Sequence, residues 1–289
     1  MKYPQLYKSK ELIDIVIGQL KKDPVTNNNI FKYIDEFQHK ITDKYDGIVK
    51  QLPDYEKMDP YYLMMCKNIV PQTTMEKHKN HYLVTMTVIN QLSEKYKKKV
   101  RVQRQLIDKI KLQKEYLGRV ISAIKKLDKT TEILMGYQPE FKRIPNPRKL
   151  FTIVLVGVPN AGKTTFLTQL TDASPEINSY AFTTKSLNFG YFKKREEVIQ
   201  VVDTPGLIHS EFKDMNPIEK QVIVAIKALA DVIIFLYVKN QTYEHQKEVI
   251  DKIISENPDK KIRVYASFGG KMEGYPNITK EDILNKNFD

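Results

Sequence analysis

The run "TIVLVGVPNAGKTTFL", Thr152 to Leu167, restricts the fold of this chain more than any other stretch. It opens inside "LFTIVLV", a continuously apolar segment rich in β-branched residues, the pattern of a strand buried on both faces. Gly157 to Thr164 then match G-x-x-x-x-G-K-[ST] in full, and a helix-compatible segment follows. Strand, glycine loop and helix in this order are the context that gives the motif its meaning. A strand of this kind needs helices on both faces of its sheet. The rest of the half agrees: "LNFGYF", "EVIQVV", "VIIFLYV" and "IRVYA" read as strands, and residues 163–170, 218–229 and 243–254 as helices. Residues 150–289 are therefore expected to form an α/β domain with a mostly parallel sheet.

The loop carries its own chemistry. Gly157 and Gly162 let the backbone wrap closely around phosphates, with Pro159, Asn160 and Ala161 shaping the turn between them. Successive amides and the following helix N-terminus offer positive potential to an anion. Lys163 is placed to reach β- and γ-phosphates, Thr165 beside it is, with Pro159, Asn160 and Ala161, a further candidate nucleotide-binding residue, and the Thr164 hydroxyl is a hard oxygen ligand suited to Mg²⁺. "VVDTPG", Val201 to Gly206, lies at the end of a strand and 39 residues after Thr164. Asp203 there is a candidate partner for Mg²⁺, and the Gly206 amide a candidate sensor of the γ-phosphate. Between the two motifs, "YAFTTKS" offers Thr183 and Thr184 to close over metal and phosphate.

The first half has another character. Apolar residues recur at helical spacing: Leu12, Ile13, Val16 and Leu20; Ile30, Ile34, Phe37, Ile41, Tyr45 and Ile48; Leu117, Val120, Ile121, Ile124 and Leu127. This predicts an antiparallel helical bundle over residues 1–137. "YQPEFKRIPNPRKL", with three prolines, is read as a linker, residues 138–149. Charge divides the same way. Residues 1–150 hold 30 Lys/Arg against 17 Asp/Glu; residues 151–289 hold 17 against 18. The stretch Lys95–Lys126 alone has 12 Lys/Arg and two acidic residues. Such an imbalance suits phosphate contacts without base specificity, and structured RNA rather than DNA is the expected partner. The longest apolar run is seven residues, and no apolar helix face is available to insert in a lipid surface, so a membrane role is not expected. One cysteine and five scattered histidines argue against disulfides and structural zinc and for a reducing compartment.

Taken together, "GVPNAGKTTF", "YAFTTKS" and "DTPGL" resemble the Obg-type P-loop GTPases, and "YAFTTKS" is most similar to the nucleolar G-protein (Nog) family. The similarity extends back through "YLGRVISAIKKLDKTTEIL" and forward through "PIEKQVIVAIKALADVIIFLYV", covering roughly residues 60–240. It implies a small-G-protein domain behind a helical domain, binding of GTP and GDP with Mg²⁺, and a role in maturation of the large ribosomal subunit. It implies a cytoplasmic protein, nucleolar in a eukaryote, in the short archaeal-like form. It favours Thr184 of the threonine pair as the metal ligand, beside Thr164 and Asp203.

Two positions depart from that pattern. The residue after D-x-x-G, a water-orienting glutamine in Ras-like enzymes, is Leu207 here, so slow intrinsic hydrolysis is expected. Asn160 is a candidate to help hold a K⁺ ion in compensation, as the resemblance to similar GTPases implies. The guanine-reading [NT]-K-x-D falls on Ser267-Phe268-Gly269-Gly270 and matches nothing. Lys271 and Glu273 nearby are candidate replacements, while "TKED", Thr279 to Asp282, reads as a helix start. The last strand and helix of such a domain are expected to be absent. The overall expectation is a GTP-hydrolysing switch on a pre-ribosomal particle, its basic bundle contacting rRNA. The alternatives are a non-catalytic, nucleotide-gated RNA-binding scaffold and a related Obg-superfamily GTPase acting in translation.

Overall fold

Helical spacing in the first half and β-branched runs in the second produce two compact units. The computed structural model describes residues 3–20, 29–171, 187–194, 196–208, 215–239, 242–267, 269 and 271–288. Met1–Met58 and Ile69–Ile144 form one unit; Asp59–Asn68 and Pro145–Asp289 form the other.

In the first unit lie α1 (Ser9–Gln19), α2 (Ile30–Gln51), α4 (Gln72–Arg101), α5 (Leu106–Lys125) and α6 (Asp128–Arg143). Asp35, Gln38 and Tyr45 of α2 meet Lys97, Asn90 and Tyr82 of α4 in turn, so the two helices run antiparallel. Ser93 and Tyr96 of α4 meet Tyr116 and Glu115 of α5, again antiparallel. The interior is rich in tyrosine, and the buried hydroxyls of Tyr3, Tyr82, Tyr96 and Tyr116 each find a partner, as burial of a polar tip favours. Tyr82 shares a hydrogen with Thr131 over 2.8 Å and Tyr116 with Ser93 over 2.8 Å.

Two boundaries differ from the sequence expectation. Helix α6 runs through Pro139 to Arg143, so helix fills the first part of the expected linker. Pro139 costs the helix a hydrogen bond. The fully buried Phe141 offsets that by stacking on Tyr3, with ring centroids 5.0 Å apart. The second difference is α3 (Pro60–Ile69), nearly all of which groups with the second unit. Tyr61 donates its hydroxyl to the carbonyl of Pro145 over 3.3 Å, and Tyr62 bonds Asn146.

The second unit holds β1 (Thr152–Val156), α7 (Lys163–Leu170), β2 (Asn188–Lys194), β3 (Glu197–Asp203), α8 (Pro217–Leu229), β4 (Val232–Tyr237), α9 (Tyr243–Glu256), β5 (Lys261–Ala266) and α10 (Lys280–Leu284). The sheet order is β2-β3-β1-β4-β5, with only β2 antiparallel. β1 and β4 are buried along their whole length, which their unbroken apolar sequences foretell. β1 sits between β3 and β4, where the chain's strand order turns round. Crevices for ligands open at the carboxyl ends of such strands. The last strand and helix are reduced rather than absent. The N–H of Val264 donates to Pro276 and that of Ile278 to Val264, both over 2.8 Å, which leaves one bridge beside β5. The five-residue α10 follows, and Ile278, Ile283 and Phe288 complete the core beneath β1 and β5. No helix among the described residues is long and apolar enough to cross a membrane.

Candidate phosphate and metal site

β1 ends at Val156 and α7 begins at Lys163, so residues 157–162 must turn the chain between them. Asn160 and Gly162 do this in the left-handed region, with φ of 63° and 81°. At Gly157 the requirement is space: a Cβ would lie 2.7 Å from the carbonyl oxygen of Leu236. Pro159 and Asn160 are exposed at the tip of the loop, and Ala161 is buried beneath it.

Lys163 opens α7 and folds back over this loop. Its ammonium donates to the carbonyls of Gly157 at 3.1 Å and Val158 at 2.9 Å. Burial pulls its pKa down to about 8, against the opposing pull of the Asp203 carboxylate. The next residue, Thr164, donates its hydroxyl to Asp203 Oδ2 over 2.7 Å. Thr165 is exposed beside it.

Asp203 is the last residue of β3 and fully buried. Asn188, opposite it in the β2–β3 pairing, donates to the same Oδ2 over 3.3 Å. Oδ1 is buried without a partner. An unpaired buried carboxylate oxygen is costly. Burial accordingly pushes this carboxyl above its ordinary range, with Thr164, Lys163 and Asn188 acting the other way. Oδ1 and the Thr164 hydroxyl form an all-oxygen donor pair beside the lysine, which is the chemistry that fits Mg²⁺.

After Asp203 the chain turns back over the loop. Thr204 donates its hydroxyl to Leu155 at 2.7 Å. Gly206 lies so close to Pro159 that a Cβ would sit 2.6 Å from both its Cα and its N. Leu207 donates its N–H to Gly157 over 3.1 Å, and its side chain is buried at 1% exposure. It shares a small apolar cleft with Met215, Ile223, Val249 and Ile253. Leu207 thus anchors this turn to the body of the unit.

Glu219, 2% exposed, accepts from the N–H of Ile208 at 2.8 Å and from that of Asn216 at 3.1 Å. It caps α8 and ties the end of this turn to the helix. The N-P-x-E pattern of a capping box marks it in the sequence, although the anchoring of Ile208 is visible only in the fold. Asn188 gives no such signal, because its role depends on strand pairing.

Thr183, Thr184, Phe268 and Gly270 lie outside the described residues. At the far end of the loop, Ser267 donates its hydroxyl to Ala161 over 2.7 Å. Lys271 and Glu273 are exposed on either side of the buried Met272. Asn277 closes that turn, accepting from Met272 N–H and donating to the carbonyls of Met272 and Tyr275. Thr279 and Asp282 form the reciprocal cap of α10, so "TKED" is a helix start.

Residues 152–267 match the family described as 50S ribosome-binding GTPase, and residues 4–146 match the family described as NOG1 N-terminal helical domain. The chain belongs to the Nog1-type family. Among its relatives, an uncharacterized protein of Methanocaldococcus jannaschii is 33% identical over 68% of this chain and 55% of its own length. Nucleolar GTP-binding protein 1 of Encephalitozoon cuniculi is 28% identical over 86% of this chain and 49% of its own length. The protein of that name in Saccharomyces cerevisiae is 26% identical over 80% and 38%. The chain thus spans between 38% and 55% of the length of these relatives.

Proposed function

We propose that this chain binds and hydrolyses GTP with Mg²⁺ and acts as a switch in assembly of the large ribosomal subunit, its basic helical unit contacting ribosomal RNA. The observation that carries the nucleotide reading is the Thr164–Asp203 pair, 2.7 Å apart, with Asp203 Oδ1 left bare beside Lys163. The assembly role is supported by the relatives named nucleolar GTP-binding protein 1 and by the ribosome-binding description of the GTPase family. The RNA role is supported by charge, since residues 1–150 carry 30 Lys/Arg against 17 Asp/Glu. The reading places the protein in the cytoplasm, or in the nucleolus of a eukaryote.

In this reading the loop amides from Gly157 to Thr165 cradle the phosphates. Lys163 exchanges its two carbonyl partners for phosphate oxygens. Thr164, Asp203 and Thr184 would hold Mg²⁺, which supplies charge neutralisation between the phosphates when bound. Gly206 would donate its N–H to the γ-phosphate, and GTP and GDP would differ in whether that bond exists. Leu207 brings no polar group, so water activation falls to other residues. Asn160 at the loop tip is the proposed contributor, through a K⁺ ion near the phosphates. The buried Leu207 also favours a second reading, a nucleotide-gated RNA-binding scaffold with negligible turnover. Phosphate release from GTP by the purified chain, with and without large-subunit precursor particles, separates the two. Stimulated turnover supports the switch, and no turnover under either condition supports the scaffold.

A further inference from the structure

Asp203 ends β3, and a carboxylate there is free to turn about its own side-chain bonds unless something holds it. Two donors do, and both meet the same oxygen. The Thr164 hydroxyl donates to Oδ2 over 2.7 Å, and the Asn188 amide donates to Oδ2 over 3.3 Å. Oδ1 is buried and has no partner among the described residues. With Oδ2 held from two elements of the fold, Oδ1 is the oxygen left for a ligand. Leaving a buried acceptor open in this way is costly, so an arrangement that keeps it open calls for an explanation.

The backbone fixes where the second donor stands. Asn188 opens β2 and lies directly opposite Asp203 in the antiparallel pairing with β3, so the two side chains share one face of the sheet. Gly190, two residues on, lies on that face as well. A Cβ at Gly190 would meet Leu167 Cδ1 at 2.6 Å and Thr171 Cγ2 at 2.8 Å, so β2 lies hard against α7 and the residue that ends it. Thr164, Leu167 and Thr171 follow one another at helical spacing along one side of α7. The glycine contact fixes one part of this seam, and the bonds of Thr164 and Asn188 to Asp203 fix the other. Asparagine is a poor strand former, so strand propensity does not account for an amide at the first residue of β2.

Building on the proposed Mg²⁺ site, we infer that Asn188 is a positioning residue: its amide orients the Asp203 carboxylate so that Oδ1 stays available to the metal. Donors that orient a metal-binding carboxylate in this way typically set metal affinity by about 10–100-fold. Asn188 itself touches neither metal nor nucleotide in this account.

Binding of GDP to the full chain in EDTA and in Mg²⁺ tests this, with the ratio of the two dissociation constants as the readout. The native chain should bind GDP more tightly in Mg²⁺. Asn188→Ala should cut that ratio about 10-fold and leave the affinity in EDTA unchanged. Asn188→Val, whose β-branched side chain favours the strand and lacks a donor, should cut the ratio as far. In an Asp203→Asn background neither substitution should change the ratio further, because the group that Asn188 orients has lost its charge. An unchanged ratio in Asn188→Ala, a ratio that Asn188→Val returns to the native value, or a further change in the Asp203→Asn background overturns the inference and leaves the metal reading standing. A native chain that binds GDP equally well in EDTA and in Mg²⁺ overturns the metal reading and the inference together. A native chain that binds no GDP overturns the nucleotide reading as well.

Discussion

Leu207 donates its backbone N–H to the carbonyl of Gly157 over 3.1 Å, and that same carbonyl accepts from the Lys163 ammonium. One oxygen thus holds both the phosphate-loop lysine and the turn that follows β3. Any ligand that draws Lys163 away relieves the carbonyl of one of its two donors, and the turn feels the change directly.

Gly206, one residue earlier, has no room for a side chain. Its Cβ would meet the Pro159 backbone at 2.6 Å, and backbone cannot yield as a side-chain tip can. Gly206→Ala should destabilise the nucleotide-free chain by about 1–3 kcal/mol through overpacking. It should also displace the proposed γ-phosphate donor. A non-hydrolysable GTP analogue and GDP should then bind with nearly equal affinity, as titration calorimetry would report.

Asp203 concentrates the cost of the site. Its carboxylate is fully buried, and Oδ1 has no partner. Asp203→Asn keeps the shape and removes the charge. It should raise the stability of the nucleotide-free chain by about 1 kcal/mol, the usual exchange of function for stability. It should also abolish the effect of Mg²⁺ on GDP binding. The pH sign follows from the raised carboxyl. Its ionisation penalty applies at neutral pH and lifts as pH falls through the folded-state value. The stability gap between variant and native chain should therefore narrow as pH is lowered from 7, which thermal melts at several pH values would show.

Lys163 titrates near 8 because burial disfavours its charge. Polyphosphate restores the charged form and raises that value. At pH 8 about half of the nucleotide-free molecules carry a neutral lysine, so GDP binding should take up about half a proton. Calorimetry in two buffers of different ionisation enthalpy measures this uptake. Affinity should weaken as pH rises from 8 to 10.

Much of this was legible in the sequence, for physical reasons. Parallel strands buried on both faces need unbroken apolar runs, and β1 and β4 were visible as such. The phosphate loop was legible because close backbone approach demands Gly157, and left-handed φ favours glycine at 162. What the sequence hid depends on contacts between distant segments. The tether from Ser267 to Ala161 spans 106 positions. The Asn188–Asp203 bond exists only once β2 pairs with β3. Three prolines suggested a linker from residue 138, yet burial of Phe141 carries α6 through Pro139. The residual strand beside β5 is a single bridge, too short to show a period.

Asn160 separates the proposed K⁺ role from loop geometry. Its φ of 63° would cost an alanine about 1–2 kcal/mol, whereas glycine adopts it freely. Asn160→Gly therefore removes the side chain and spares the backbone. The native chain should hydrolyse GTP faster in KCl than in matched NaCl, and the variant should lose that difference. Equal rates in both salts for the native chain would remove K⁺ from the account.

The most direct measurement of the central claim is co-sedimentation of the chain with large-subunit precursor particles in the presence of a non-hydrolysable GTP analogue, GDP, or no nucleotide. The account predicts association that is strong with the triphosphate analogue, weaker with GDP, and reduced by added salt through the basic helical unit. Equal association under all three conditions would contradict a nucleotide-controlled switch.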